Sequence, residues 1–444
     1  MERWLAALPA GLAGSRPRLL LAQAWMALDG SDVEAAEVAL EAAERALAGA
    51  AGVADEPFEP SAGRAVSPLA NVPAAVALGR AYLAVLRGDA EGAAAFASRA
   101  LAEVGEGEWL LESITRGQLA RAQWLRGQLA DAEHALSSAI ARGRAAGQPT
   151  VAAWRCQDLG QVQRAQGRLD AAVLTYQEAL DFTASPGRPA LPAAGIAYVG
   201  LAEVAYQRGE LDDALRHVTE GIAACRQMNF TPSLAAGLAT LAWIRQANGD
   251  PAGALEAIGE AGRAAPGPAV TGLLNPIPAQ HARLLLAQGE VAAAAQWAKE
   301  RGLAAEDEPG YAQEPEYLVL ARVLFAQDLP GPALALLDRM LALAAAQGRA
   351  GSVIEVRALQ ALALAASGDE AAAVDALAEA LTLACPQGYV RIFADEGAPM
   401  GALLGRLIAA QRAEHAAARG VPLGCLARLL QAFGEKHEIG RAHV

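Results

Sequence analysis

The chain has 444 residues, of which 54% are hydrophobic and only 5% aromatic, and its formal net charge is −13. This acidic composition argues against a nucleic-acid groove, which needs clustered basic side chains. The sequence contains no apolar run of about eighteen residues without charge, so it predicts no membrane span. The N-terminal segment has no apolar core long enough for a signal peptide, because it is interrupted by Pro9, Gly11 and Pro17. We therefore expect a cytoplasmic protein.

The first predicted element is a helical hairpin at residues 18–47, RLLLAQAWMALDGSDVEAAEVALEAAERAL. Its turn lies at residues 29–32, where Ser31 or Asp32 can accept a hydrogen bond from the first N–H groups of the second helix. Residues 50–72 follow as a proline-rich stretch that cannot form a continuous helix. We predict an extended surface loop there.

A repeated pattern begins after this loop. Its clearest copy is residues 159–180, LGQVQRAQGRLDAAVLTYQEAL, where apolar residues recur at three- and four-residue steps. In each copy, a glycine is followed five residues later by an alanine. The pairs are Gly88/Ala93, Gly127/Ala132, Gly167/Ala172, Gly209/Ala214, Gly249/Ala254, Gly289/Ala294 and Gly368/Ala373, and in one further copy Asp328/Ala333 lacks the glycine.

The spacing of this pattern predicts the fold. Successive glycines are 39, 40, 42, 40 and 40 residues apart, and the last step of 79 residues spans Asp328. We expect the glycine to end the first helix in a left-handed conformation, and the alanine to let the second helix pack closely on the first. The predicted fold is all-α, a TPR-like superhelical solenoid of about nine helical hairpins with a C-terminal helical tail.

Such hairpins are expected to form a concave wall lined by their first helices. The turns set the register of these helices and so predict which side chains face the wall. A mixture of Arg, Gln, Glu, Tyr and Trp side chains on this wall could bind a polar small molecule or a peptide. In the alternative interpretation, these are ordinary solenoid residues, and the tryptophans pack between repeats. The candidate binding residues are Arg121, Trp124, Gln157, Gln161, Arg164, Glu203, Tyr206 and Trp243.

The end of the chain departs from the repeat. Residues 389–393, YVRIF, are the only short β-like run, residues 395–397 predict a turn, and Pro399 predicts the start of another helix. The predicted organisation is an N-terminal hairpin (1–49), a proline-rich loop (50–72), a TPR-like array (73–383), a closing segment with a helical tail (384–437) and a short tail (438–444).

No motif predicts catalysis. The histidines lack the spacing of a helical metal pair, and no Gly-x-Ser-x-Gly element is present. The four cysteines, Cys156, Cys225, Cys385 and Cys425, are far apart, so we predict buried free thiols and not metal ligands. We expect no enzymatic activity and no catalytic, cofactor-binding or metal-binding residue in this chain.

Several segments resemble one family. GYVRIFADEGAPMGALL, at residues 388–404, closely resembles the segment that closes the TPR region of MalT-like regulators, the large ATP-binding members of the LuxR family of bacterial transcription factors. PRLLLAQAWMAL at residues 17–28, YLAVLRGDAEGAAAFASRAL at residues 82–101 and the hairpin around Gly167 are similar to parts of the same region. CLARLLQAF, at residues 425–433, resembles the helix before that family's linker.

The resemblance implies a signal-responsive activator in three parts. An N-terminal NTPase binds ATP and drives self-association, a central TPR-like superhelix receives an inducer (a sugar in the maltose regulator), and a LuxR-type helix-turn-helix binds promoters. This chain has no Gly-rich loop ending in Gly-Lys-Ser/Thr and no recognition-helix signature. Its last heptapeptide, EIGRAHV, matches one reading frame of a common sequencing adapter, so we expect a fragment with a non-native tail.

We therefore predict the signal-sensing and protein-interaction region of a LuxR-family regulator. An inducer or protein partner would bind the concave face and control the DNA-binding output, with possible self-association and without direct DNA or membrane contact by this chain. ATP is expected only in the NTPase domain that the chain lacks. The alternatives are a free-standing TPR adaptor that holds a protein partner, and a fragment with no separate activity.

Overall fold

The computed structural model describes residues 16–29, 32–49, 70–145, 147–184, 193–228, 231–264, 276–413 and 421–433. Every regular element in these ranges is helical, which confirms the predicted all-α, TPR-like solenoid. Within the same ranges, no helix combines the length and the hydropathy needed to cross a membrane. Most of the predicted proline-rich loop and the tail predicted at residues 438–444 lie outside the described residues.

The described ranges contain nine helical pairs followed by three further helices. The pairs are α1 (Pro17–Asp29) and α2 (Val33–Gly49), α3 (Val72–Leu86) and α4 (Ala90–Glu103), α5 (Trp109–Leu125) and α6 (Leu129–Ala145), α7 (Pro149–Ala165) and α8 (Leu169–Thr183), α9 (Ala194–Gln207) and α10 (Leu211–Met228), α11 (Thr231–Ala247) and α12 (Pro251–Ala264), α13 (Ile277–Ala287) and α14 (Val291–Glu300), α15 (Glu314–Ala326) and α16 (Pro330–Ala346), and α17 (Ala350–Ala366) and α18 (Glu370–Ala384). The last helices are α19 (Arg391–Ala394), α20 (Ala398–Ala413) and α21 (Leu423–Ala432).

The chain forms two compact units. The first unit holds the described residues up to Leu159, together with Asp181–Thr183. The second unit holds Gly160–Leu180 and the described residues after Thr183.

Eight of the helical pairs share one turn, and the structure confirms its predicted geometry. The residue after the C-cap of each first helix has a positive φ: Gly88 (73°), Gly127 (76°), Gly167 (77°), Gly209 (75°), Gly249 (80°), Gly289 (84°), Asp328 (61°) and Gly368 (84°). In all eight turns, the N–H of the next residue donates to the carbonyl oxygen five residues earlier, at 2.8 to 3.0 Å. This bond pairs a carbonyl group that the end of the helix would otherwise leave free.

The alanine five residues after each turn residue is fully buried. All eight have 0% exposed surface: Ala93, Ala132, Ala172, Ala214, Ala254, Ala294, Ala333 and Ala373. A larger side chain would have to displace the neighbouring helix, since protein interiors leave little empty volume. The alanine therefore sets the close approach of the two helices in a pair, as the sequence predicted.

In the second unit, the end of α7 also meets the start of α17. A Cβ atom added to Gly351 would lie 2.7 Å from the carbonyl oxygen of Arg164, and one added to Gly167 would lie 3.1 Å from the Cβ atom of Ala350. The absence of a side chain at Gly351 permits this contact between helices that are far apart in the sequence.

The predicted β-like run at residues 389–393 is wrong. Gly388 has a left-handed conformation, and Arg391–Ala394 form the short helix α19. A strand needs a partner for its N–H and C=O groups, and none lies in the described ranges. The N–H of Val390 instead donates to the last carbonyl of α9, that of Gln207, at 2.7 Å.

The prediction of four free thiols is correct for two cysteines and wrong for the others. Cys156 and Cys225 are buried and form no disulfide among the described residues. Cys385 and Cys425 form a disulfide, with Cα atoms 5.8 Å apart. The bond is possible because the chain folds back after α18, so that α21 lies beside the turn at Cys385–Gln387, an approach between residues 40 positions apart.

Substitutions of Asp328 test whether the turn requires a residue in the left-handed conformation. Its side chain has a Cβ atom, which makes φ of 61° unfavourable. We expect Asp328→Ala to lower the free energy of unfolding by about 1 kcal/mol relative to Asp328→Gly, since the Cβ atom of alanine disfavours the left-handed conformation that glycine adopts freely. Urea unfolding followed by circular dichroism measures the difference.

The matched control is Gly331→Ala, three residues further on. A Cβ atom there has no neighbour within 4 Å, and the backbone has no positive φ. We expect no loss of stability from this control. Equal stability of Asp328→Ala and Asp328→Gly would contradict the role assigned to the turn.

Candidate functional site

All eight candidate binding residues lie on first helices of their pairs. Arg121 and Trp124 lie on α5, Gln157, Gln161 and Arg164 on α7, Glu203 and Tyr206 on α9, and Trp243 on α11. Arg121, Trp124 and Gln157 belong to the first unit, and the other five belong to the second unit.

In the first unit, Arg121 is part of a cluster that also contains Asp158 and Arg155. The Nε and Nη2 atoms of Arg121 donate to Oδ1 of Asp158 at 3.3 and 3.1 Å. The Nη1 atom of Arg155 lies 3.2 Å from Oδ2 of the same carboxylate. Two guanidinium groups thus share one carboxylate. Burial opposes the charge on Arg121, but Asp158 and Tyr82 together outweigh burial and raise the pKa of this arginine.

Arg155 is almost completely enclosed by protein. Its side chain is 6% exposed, and its Nε and Nη1 atoms lack a hydrogen-bond partner among the described residues. Burial lowers its pKa, the attraction of Asp158 opposes this effect, and the repulsion of Arg121 adds to it. A Cβ atom on Gly117 would lie 1.7 Å from Nη1 of Arg155, so only glycine leaves room for the guanidinium group.

The other two candidates in this unit are buried. Trp124 is 4% exposed and Gln157 is 7% exposed. Trp124 therefore packs within the array, as the alternative interpretation of these residues proposed.

In the second unit, three candidates contact one another. Nη1 of Arg164 donates to Oε1 of Gln161 at 3.0 Å and forms an ion pair with Glu203. Nε2 of Gln161 donates to Oε2 of Glu203 at 3.2 Å. These contacts join α7 to α9. The hydroxyl group of Tyr389, in the C-terminal part of the chain, donates to the carbonyl oxygen of Arg164 at 3.4 Å.

Residues 388–397, called the closing segment here, lie against the first helices of the second unit. The hydroxyl group of Tyr206 donates to Oδ2 of Asp395 at 2.8 Å. Arg391 forms an ion pair with Asp395 and lies over the ring of Tyr206, 5.3 Å from its centroid. Burial raises the pKa of Asp395, although Arg391 and Arg283 oppose this effect. Burial also raises the pKa of Tyr206, so its hydroxyl group remains a donor.

Glu396 binds two further first helices. Nη2 of Arg322, on α15, donates to Oε1 of Glu396 at 2.6 Å and to Oε1 of Glu355, on α17, at 2.7 Å. Nη2 of Arg283, on α13, lies 3.5 Å from Oε1 of Glu396. The guanidinium group of Arg283 also covers the ring of Trp243, 4.6 Å from its centroid.

In the second unit, the closing segment therefore contacts side chains that the sequence predicted for ligand binding. Tyr206 contacts this segment directly, and Trp243 contacts it through Arg283. The network contains three arginines and three carboxylates: Arg283, Arg322, Arg391, Glu355, Asp395 and Glu396. Its formal charges balance.

The sequence prediction missed Arg283 and Arg322, although the repeat contains a signal for both. Each lies six residues before its turn residue, at the position that Arg121, Gln161, Glu203 and Trp243 hold in earlier pairs. The same register continued past Trp243 would have identified them. Nothing in the repeat points to Asp395 or Glu396, because both lie outside it.

Glu396→Gln tests whether the buried ion pairs hold the closing segment. The change leaves Arg322, whose side chain is 6% exposed, without one of its two carboxylates. Removing one partner of a buried pair destabilises by about 3 to 5 kcal/mol. We expect a lower melting temperature and faster amide hydrogen exchange in residues 389–397.

The control for this experiment is Glu370→Gln. Glu370 pairs with Arg406 at 3.0 Å, but both side chains are exposed, 64% and 47%. Exposed pairs contribute little, so stability and exchange should stay close to those of the wild type. An equal effect of the two substitutions would contradict the docking role of Glu396.

The chain is similar to solved structures of helical proteins. A Rap protein complexed with Competence and Sporulation Factor has a similar fold, with a TM-score of 0.55 and 11% identity over 84% of this chain and 98% of that chain. A tetratricopeptide repeat protein from Parabacteroides merdae matches with a TM-score of 0.38 and 14% identity over 66% of this chain and 99% of that chain. A search of curated proteins finds no match.

The family model described as the MalT-like TPR region matches residues 74–410. This range includes the repeat array and the closing segment, which carries the strongest resemblance in the sequence. The chain therefore belongs to the MalT-like TPR family.

Proposed function

We propose that this chain is the signal-sensing and protein-interaction region of a LuxR-family transcriptional regulator. In this proposal, an inducer or partner binds the face formed by the first helices and controls the DNA-binding output of other domains. The observation that carries the proposal is the docked closing segment, whose carboxylates bind residues from three separate first helices. The proposal assigns no catalytic step, cofactor or DNA contact to this chain and places it in the cytoplasm.

The docked segment offers a route from the ligand to the output. It contacts α9, α13 and α15 through Tyr206, Arg283 and Arg322. It is followed directly by α20, and the Cys385–Cys425 disulfide joins the turn before it to α21. A ligand that changes the spacing of the first helices would favour either the docked or the undocked segment, and so shift a two-state equilibrium.

A promoter–reporter assay of the regulator that contains this region tests the proposal. We expect Glu396→Gln to raise reporter output without inducer, because the substitution weakens the docked state. Glu370→Gln is the control and should leave the output unchanged. A Glu396→Gln protein that is folded, exchanges faster at residues 389–397 and still gives the wild-type output would refute this mechanism.

Sequencing the genomic DNA on both sides of this reading frame separates the regulator from the adaptor. An in-frame P-loop NTPase before the chain and a LuxR-type helix-turn-helix after it would support the regulator. A gene that encodes neither would favour the free-standing TPR adaptor, and protein partners would then be sought by affinity capture.

A further inference from the structure

The two polar clusters on the first helices differ in charge. In the second unit, three arginines face three carboxylates, two of which the closing segment supplies. In the first unit, Arg121 and Arg155 share Asp158. Asp158 is the one carboxylate that forms an ion pair with either arginine among the residues that the structure describes. The first cluster therefore retains one unbalanced positive charge.

This unbalanced charge is enclosed by protein. The side chain of Arg155 is 6% exposed, and the side chain of Asp158 is 5% exposed. The Nε atom of Arg155 has no hydrogen-bond acceptor within the described part of the chain, and its Nη1 atom has only the ion pair with Oδ2 of Asp158, at 3.2 Å, and no hydrogen bond. Buried charges in proteins are normally paired, and a buried donor without an acceptor indicates a missing group.

Gly117 shows that the chain makes room for the guanidinium group at this place. Any larger residue at position 117 would overlap Nη1 of Arg155. Arg121, whose side chain is 17% exposed, connects the cluster to solvent. The site thus has a buried donor, a partly exposed donor and a net positive charge.

We propose that Arg155 and Arg121 bind a carboxylate group of the ligand that this region senses. A carboxylate carries the one negative charge that the cluster lacks and provides two acceptor oxygens for the arginine N–H groups. Asp395 and Glu396 play the corresponding part in the second unit, where the chain itself supplies the carboxylates. The site's role in sensing rests on the proposed function, whereas its binding of a carboxylate does not.

Acetate is a suitable probe of the site. The melting temperature of the full chain is measured by scanning calorimetry at pH 7, with sodium acetate replacing sodium chloride at constant ionic strength. We expect a saturable rise in melting temperature for the wild type, because a ligand that binds only the folded state stabilises it. Phosphate at the same ionic strength should have a smaller effect, since it carries more charge than the site lacks.

Two substitutions test the residues. Arg155→Met removes the charge, and we expect the acetate concentration at half-saturation to rise at least about tenfold. Gly117→Ala keeps the charge but displaces the guanidinium group, and should have the same effect. Gly143→Ala is the matched control in the same unit, because a Cβ atom there makes an ordinary contact of 3.5 Å with Ala152. This control should respond to acetate as the wild type does.

The possible results separate this site from the proposed function. The proposal is overturned if acetate does not stabilise the wild type, if phosphate stabilises it and acetate does not, or if folded Arg155→Met responds as the wild type does. A normal acetate response together with an unchanged reporter output in Glu396→Gln would support the site and refute the mechanism of output control.

Discussion

The structure depends on one backbone constraint, the left-handed residue that ends the first helix of eight helical pairs. The N–H group after this residue bonds back to the helix, so the direction of the next helix is set within a few residues. The fully buried alanine then sets the distance between the two helices. Asp328 holds the same conformation without being glycine, so the constraint comes from the geometry of the turn.

This constraint also places polar side chains in register. Residues six positions before the turn include Arg121, Gln161, Glu203, Trp243, Arg283 and Arg322. Since the turn fixes the rotation of each first helix, side chains at this position recur at the same place along each helix. A segment that binds one of them can reach the next, as Glu396 does when it contacts both Arg283 and Arg322.

Buried ion pairs add little net stability, because desolvation offsets most of the attraction between the charges. Their main effect is to favour the one arrangement of the segment in which every charge is paired. The loss of one partner is much more harmful than the absence of both. The closing segment therefore has one favoured position, held by Asp395 and Glu396. The formal charges of the network in the second unit balance among the described residues, whereas the cluster around Arg155 in the first unit retains one unbalanced positive charge.

The sequence by itself determined the helical pairs, the left-handed glycine turns and the buried alanines, because these features depend on interactions within a few residues, and its segments indicated the family. Only the tertiary structure decided that residues 389–393 do not form a strand, that Cys385 pairs with Cys425, and where the closing segment binds. The Tyr206–Asp395 and Tyr389–Arg164 contacts join residues 189 and 225 positions apart. Such contacts depend on how successive pairs stack, which no local pattern specifies.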